Sequence, residues 1–292
     1  MDTISLKAKA KVNLSLDVTG IRENGYHEMR MINHSIDLED ILTFEACDEG
    51  VILTSNDQTI PLDERNLVMK AALKLQNQFN IKQGVKIHLE KRIPAQAGLA
   101  GGSSDAAATL KGLNILWKLK LSLQELLAIG VTIGADVPYC LVGGTALVEG
   151  IGEKITPLKD LKSMSVLVVK PDINIATPWA FKKLDELTIE KHPDIKAVIE
   201  LLEVNDYASL KDGIGNVFEA VAFTAYPEIA EIKKEMLAQD AIAAIMTGSG
   251  STVIGYFPNL EVAEQLYRRF KEKYKMCFLT GIKKNEGENY VG

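Results

Sequence analysis

Residues 85–119 constrain the chain most. "VKIHLE" at 85–90 alternates apolar and polar residues, the period of a strand with one buried face. Fourteen residues further on, "DAAATLKGLNILWKL", 105–119, sets Leu110, Leu113 and Trp117 on one helical stripe. Between them lies "KRIPAQAGLAGGSS", with glycines at 98, 101 and 102. Strand, glycine-rich loop and helix N-terminus in that order are a common way to hold phosphate. Glycines let backbone N–H groups converge without Cβ clashes. The helix start adds unsatisfied donors and a partial positive charge. Ser103 and Ser104 offer hydroxyls for phosphate oxygen or Mg²⁺, and Ala106, Ala107 and Ala108 keep the first turn slim. Neither common phosphate fingerprint fits. No Lys follows the glycines as GxxxxGK[ST] requires, and position 100 is Ala where GxGxxG needs Gly. The ordinary alternative is a strand-to-helix connection made of small residues for close packing.

The opening segment is a second constraint. Apolar residues fall on even positions from Ile4 to Leu16, and Lys7, Lys9, Lys11, Asn13 and Ser15 make the other face. A half-buried strand follows. "RENGY", 22–26, is a turn, with "MRMINHSIDL", "ILTFEA" and "GVILTS" as further strands. A helix is expected over 66–80, and "SLQE" at 122–125 is a capping box that starts another. In "GADVPYC" helical order is expected to end before Pro138. Beyond residue 160 helices are expected near 178–187, 194–203, 215–238 and 259–274. Strands are expected at 241–246, 251–257 and 276–282. A polar stretch at 157–163 suggests a boundary, giving domains at 1–160 and 161–292, and 292 residues suffice for two separate cores. The last ten residues read as a frayed tail.

Net charge −6 and the lack of a long basic run argue against nucleic acid or an anionic membrane as partner. No signal-peptide pattern and no run of about 18 apolar residues is seen. Three widely spaced cysteines fit reduced thiols, so a cytoplasmic setting is expected. The four histidines show no metal-ligand spacing.

"PAQAGLAGGSSDAAA" at 94–108 resembles the phosphate loop of the GHMP kinases, small-molecule kinases that use a PxxxGLGGGSS-type segment for ATP. Three more segments extend the resemblance: "AKVNLSLDVTGIRENGYHEM" at 10–29, "IGADVPYCLVGGTALVEGIGEK" at 133–154 and "MTGSGSTVIGYFP" at 246–258. Their order and spacing are similar to the branch of the family whose acceptor carries a cytidine diphosphate. Lys9, Ala100 and Ser251 depart from that pattern, which has Pro, Gly and Pro there.

The resemblance implies an α+β, two-domain GHMP kinase fold, with an N-terminal ribosomal-S5-domain-2-like unit and a C-terminal ferredoxin-like unit. It implies ATP and Mg²⁺ as cofactors, a small cytidine diphosphate substrate, and a monomer or homodimer. Asp136 would be the base and Lys11 its electrostatic partner. Phosphoryl transfer calls for such a pair, because the acceptor hydroxyl must lose a proton while charge is neutralised. Pro94, Gly98, Leu99, Ala100, Gly101, Gly102, Ser103 and Ser104 would hold the phosphates, with Ser104 as Mg²⁺ ligand and Asn66 near the adenine. Asn13, Tyr26, His27, Phe181 and the turn Thr247, Gly248, Ser249 and Gly250 would meet the substrate. Tyr26 and Phe181 would stack on the cytosine ring and His27 would bond its edge.

On residue type alone Lys11 could be a solvated strand lysine, Asp136 a turn residue, Asn66 a helix cap and His27 a structural histidine. Tyr26 and Phe181 could simply pack, and 247–252 could be a plain hairpin. A kinase of the homoserine or mevalonate type, or a catalytically silent relative, is the functional alternative.

Overall fold

The computed structural model describes residues 3–95 and 97–282; the ten-residue tail therefore lies outside the described residues. Two very long strands open the chain: β1 (Thr3–Ile21) and β2 (His27–Cys47), antiparallel and joined by the turn at 22–26. β3 (Val51–Ser55), α1 (Leu67–Gln78), β4 (Gly84–Glu90), α2 (Gly101–Leu116), α3 (Leu123–Gly130), α4 (Val137–Val142), β5 (Thr145–Gly150) and β6 (Lys154–Pro157) follow. These strands make one sheet in the order β3-β4-β2-β5-β6, with β1 on β2.

The second part holds β7 (Ser165–Lys170), α5 (Thr177–Asp185), α6 (Ile195–Val204), α7 (Leu210–Gly213), α8 (Phe218–Ala225) and α9 (Pro227–Ala238). It ends with β8 (Ala243–Met246), β9 (Val253–Phe257), α10 (Leu260–Lys273) and β10 (Met276–Gly281). Its sheet runs β10-β7-β9-β8, all antiparallel, which is the ferredoxin-like order 4-1-3-2.

The segments "MRMINHSIDL" and "ILTFEA" are one strand, β2. Register shifts against β1 at Lys9/Lys11, Asn13/Ser15 and Val18/Gly20 let so long a pair bend. Pro138 opens α4 instead of closing helical order, because its missing N–H is harmless in a first turn. The helix expected over 215–238 is two helices. Tyr226, preceding Pro227, is held out of helical geometry at φ −138° and ψ 79°. α2 starts four residues ahead of the expected Asp105, so Gly101, Gly102, Ser103 and Ser104 lie in its first turn.

The expectation of two separate cores is corrected. One cluster, around Phe44, Leu75, Leu89 and Leu113, belongs to the first part alone. Another joins Val12, Leu14 and Ile36 to Val166, Ile245 and Tyr256. A third joins Leu16, Met31 and Val148 to Leu167, Phe218 and Phe257. β1 contributes to all three, through Ala8, then Ala10, Val12 and Leu14, then Leu16 and Val18. From Ala10 to Val18 both its faces are buried, so the lysine face ends at Lys9.

Candidate active site

The glycine loop runs between β4 and α2, and its Gly98–Ser103 stretch lines a cleft of about 460 Å³. Ala100, the residue before α2, is left-handed (φ 53°, ψ 27°), and no side chain caps the helix. α1 and α3 contrast with this: Asn66 accepts from Val68 N and Ser122 from Glu125 N. The first amides of α2 therefore stay available to a ligand. Gly98 has φ +71°, and a Cβ there would lie 3.1 Å from the Thr247 carbonyl oxygen, so any larger residue would be strained. Backbone and hydroxyl donors tie the loop down. Lys11 N donates to Leu99 O at 3.0 Å, and Thr252 Oγ1 donates to Ala97 O.

Lys11 is not a solvated strand lysine. It is 5% exposed, and its Nζ lies 3.3 Å from Asp136 Oδ1 on the cleft wall. A further 3.4 Å contact runs to Asn13 Oδ1. Asp136 occupies the N-cap position of α4 without making the cap bond, so its carboxylate is left to Lys11 and the cleft. A cation and a carboxylate thus meet beside an uncapped helix start.

On the far wall Phe181 packs with its ring centroid 4.3 Å from that of His27 and edge-on to Phe218 at 4.9 Å. His27 Nε2 bonds Asp185 Oδ1 at 2.8 Å. Tyr26, at the turn tip, is 60% exposed. The turn after β8 is a hairpin closed by Thr247 N donating to Thr252 O at 2.9 Å, and its Gly248 and Ser249 also line the cleft. The segment is thus a hairpin whose tip, not its base, faces the cleft.

GHMP kinase N- and C-terminal domain families match residues 66–144 and 184–275. The chain is 47% identical to 4-diphosphocytidyl-2-C-methyl-D-erythritol kinase of Clostridium tetani, over 95% of this chain and 99% of that protein. It is 46% identical to the protein of that name from Clostridioides difficile, over 96% and 95%. The chain belongs to the GHMP kinase family. A solved 4-(cytidine 5'-diphospho)-2C-methyl-D-erythritol kinase, 31% identical, superposes on this GHMP kinase with TM-score 0.82 over 95% of this chain and 98% of that one. Homoserine kinase from Cytophaga hutchinsonii, 20% identical over 97% of this chain and 94% of its own, shares the fold at TM-score 0.74.

Several expected residues sit elsewhere in this GHMP kinase. Ser104 is corrected as a metal ligand: it is 4% exposed and its hydroxyl donates to Lys9 O at 2.6 Å. Ser103, one residue earlier on the helix, faces the cleft. Asn66 is spent on capping α1 and on the Pro61 carbonyl, so it is not free for adenine. Asn13 is fully buried and joins the two sheets. Its Oδ1 accepts from Gly248 N at 2.8 Å and Thr247 Oγ1 at 3.2 Å, and its Nδ2 donates to Asn33 Oδ1 at 2.6 Å. Asn13, Thr247 and Gly250 therefore shape the cleft without lining it.

Asn216 was not singled out by sequence, because it fell inside an expected helix. Its Nδ2 donates to Met246 O at 2.7 Å and Gly248 O at 2.8 Å, holding the turn after β8. Arg22 was missed as well: it pairs with Glu28 at 2.7 Å and Glu153 at 3.1 Å, bracing the Tyr26–His27 turn against the loop after β5. Behind the glycine loop, burial pushes the Asp105 carboxyl well above its ordinary range against the pull of Lys91.

Proposed function

We propose that this chain transfers the terminal phosphoryl group of ATP to the 2-hydroxyl of 4-(cytidine 5'-diphospho)-2-C-methyl-D-erythritol, a step of non-mevalonate isoprenoid precursor synthesis. The observation that carries the reading is the Lys11–Asp136 pair at 3.3 Å on the wall shared with the uncapped start of α2. Polyphosphate on the amides of Gly101, Gly102 and Ser103 has its terminal group directed toward that pair. Asp136 takes the proton of the acceptor hydroxyl as the O–P bond forms, and ADP leaves. Lys11, nearly dry, offsets charge on the transferring group more effectively than an exposed lysine would.

Mg²⁺ would neutralise phosphate charge when bound. No three His, Cys, Asp or Glu residues gather into a metal group among the described residues. That suits an ion held mostly by phosphates and water with one or two protein oxygens, and the cleft-facing Ser103 hydroxyl is the residue placed to supply one. The cytidine end belongs between Phe181 and Tyr26, with His27 at the base edge. On this reading the part before about residue 160 carries the nucleotide, and the part beyond it carries much of the acceptor site. No described helix is long and apolar enough to cross a membrane, and a cytoplasmic reaction between water-soluble anions fits. A coupled ADP-release assay with ATP, Mg²⁺ and this acceptor tests the proposal. Correctly folded protein that turns over homoserine or mevalonate, but not the cytidylyl acceptor, would overturn it.

A further inference from the structure

Behind the glycine loop, away from the cleft, lies a buried ion triad. Asp40, on β2, has no exposed surface, and Asp105, on α2, is 2% exposed. Lys91, the first residue after β4, sets its Nζ against Asp40 Oδ2 and 2.9 Å from Asp105 Oδ2. The other oxygen of Asp40 accepts from Arg92 N at 2.5 Å and Ile93 N at 2.7 Å. One ammonium thus bridges the segment leading into the loop and the helix leading out of it. It also lies directly under Gly101, where a Cβ would come within 2.9 Å of Nζ. None of the three side chains lines the cleft.

Burying an ammonium with two carboxyl groups is a poor way to gain stability, since apolar replacements of similar volume are often as stable or more so. What an ion triad provides and an apolar cluster lacks is direction. Each carboxylate fixes where the ammonium sits, and the ammonium fixes the spacing between the loop's two ends. A polyphosphate needs several amides converging on one point, and that convergence depends on the spacing.

We propose that Lys91, Asp40 and Asp105 are positioning residues for nucleotide binding, holding the two ends of the glycine loop at the separation in which its amides converge. The proposal rests on the nucleotide occupying this loop. Loss of the triad then weakens the nucleotide and leaves the acceptor site, built by Phe181, Gly248 and Ser249, in place.

The test compares Lys91→Met and Asp105→Asn with the parent enzyme. Readouts are calorimetric affinity for a non-hydrolysable ATP analogue, KM for ATP and for the acceptor, and amide exchange over 92–103. Lys91→Met is expected to weaken the analogue and raise KM for ATP about 10-fold or more. Asp105→Asn, which keeps one acceptor oxygen for Lys91, is expected to cost about threefold. KM for the acceptor and kcat at saturating ATP stay within about twofold, while exchange over 92–103 speeds up. If Lys91→Met does not fold, Asp105→Asn alone decides. Folded variants that bind the analogue as tightly as the parent, or that weaken both substrates equally, overturn the proposal. A parent enzyme that does not bind the analogue overturns instead the nucleotide reading beneath it.

Discussion

Asp136→Asn separates chemistry from stability. In the fold the carboxylate is 40% exposed, makes no cap bond and touches Lys11 at 3.3 Å. An ion pair with one partner that exposed contributes less than about 1 kcal/mol to stability. The asparagine keeps an oxygen for Lys11, which also retains Asn13 Oδ1 at 3.4 Å. Unfolding by urea should therefore shift by less than about 1 kcal/mol. Catalysis is affected far more. A positioned base contributes about 10²- to 10⁴-fold, equivalent to roughly 3–5 kcal/mol of barrier at about 1.4 kcal/mol per decade. The loss should fall on kcat, with affinity for a non-hydrolysable ATP analogue held, because the loop amides are untouched. Steady-state kinetics, calorimetry and urea titration on one preparation check all three. A kcat within tenfold of the parent refutes Asp136 as the base. An equal loss of stability would mean that the pair holds the fold instead.

Phe181→Ala removes one face of the expected cytosine site and should raise KM for the cytidylyl acceptor by about 5- to 150-fold, the worth of one stacked base. KM for ATP should stay constant, and parallel rises in both would show that the ring only packs. Ala100→Gly places the permissive residue at a left-handed position (φ 53°). Relief of roughly 1–2 kcal/mol of strain, less about 0.5–1 kcal/mol of chain entropy, should leave the urea midpoint equal or higher, and a fall would contradict the strain. His34 is buried between the sheets, with Nδ1 3.3 Å from the Ser35 carbonyl and Nε2 2.5 Å from Tyr256 Oη. A carbonyl only accepts, so Nδ1 carries the proton and Nε2 accepts from the tyrosine. Burial pushes this histidine down to about 4 from 6.5. Its stabilising share is complete above pH 6.5 and is lost at up to about 1.4 kcal/mol per pH unit as pH falls toward 4, because the unfolded chain binds the proton first. Urea midpoints at pH 7 and pH 5 should therefore differ less in His34→Gln than in the parent, and an identical difference would show that His34 does not titrate in the unfolding step.

The parts of the site legible in sequence are those made by backbone. The glycine loop, its strand and its helix announce themselves through period and residue size, and the hairpin at 247–252 through its glycines. The Lys11–Asp136 contact joins residues 125 positions apart, and no local pattern carries it; the motif resemblance supplied it. Side-chain direction was the weak link. Ser103 and Ser104 are adjacent hydroxyls, yet on a helix successive residues point about 100° apart, so one faces the cleft and the other the carbonyl of Lys9. Asn13 and Asn216 were hard to read for another reason. Their work is to bond backbone groups more than two hundred and about thirty residues away. Asp40, Lys91 and Asp105 look like ordinary surface charges in sequence, and only the packing of α2 over β2 buries them.

β1 draws its neighbours from the whole length of the chain, which has a cost during synthesis. Leu16 and Val18 share a core with Val253 and Phe257. At roughly 5–20 residues per second, those partners leave the ribosome on the order of 10–50 s after them. Throughout that interval the nascent strand, already able to pair with β2, still holds apolar side chains whose C-terminal partners are missing, so its final packing comes late in synthesis.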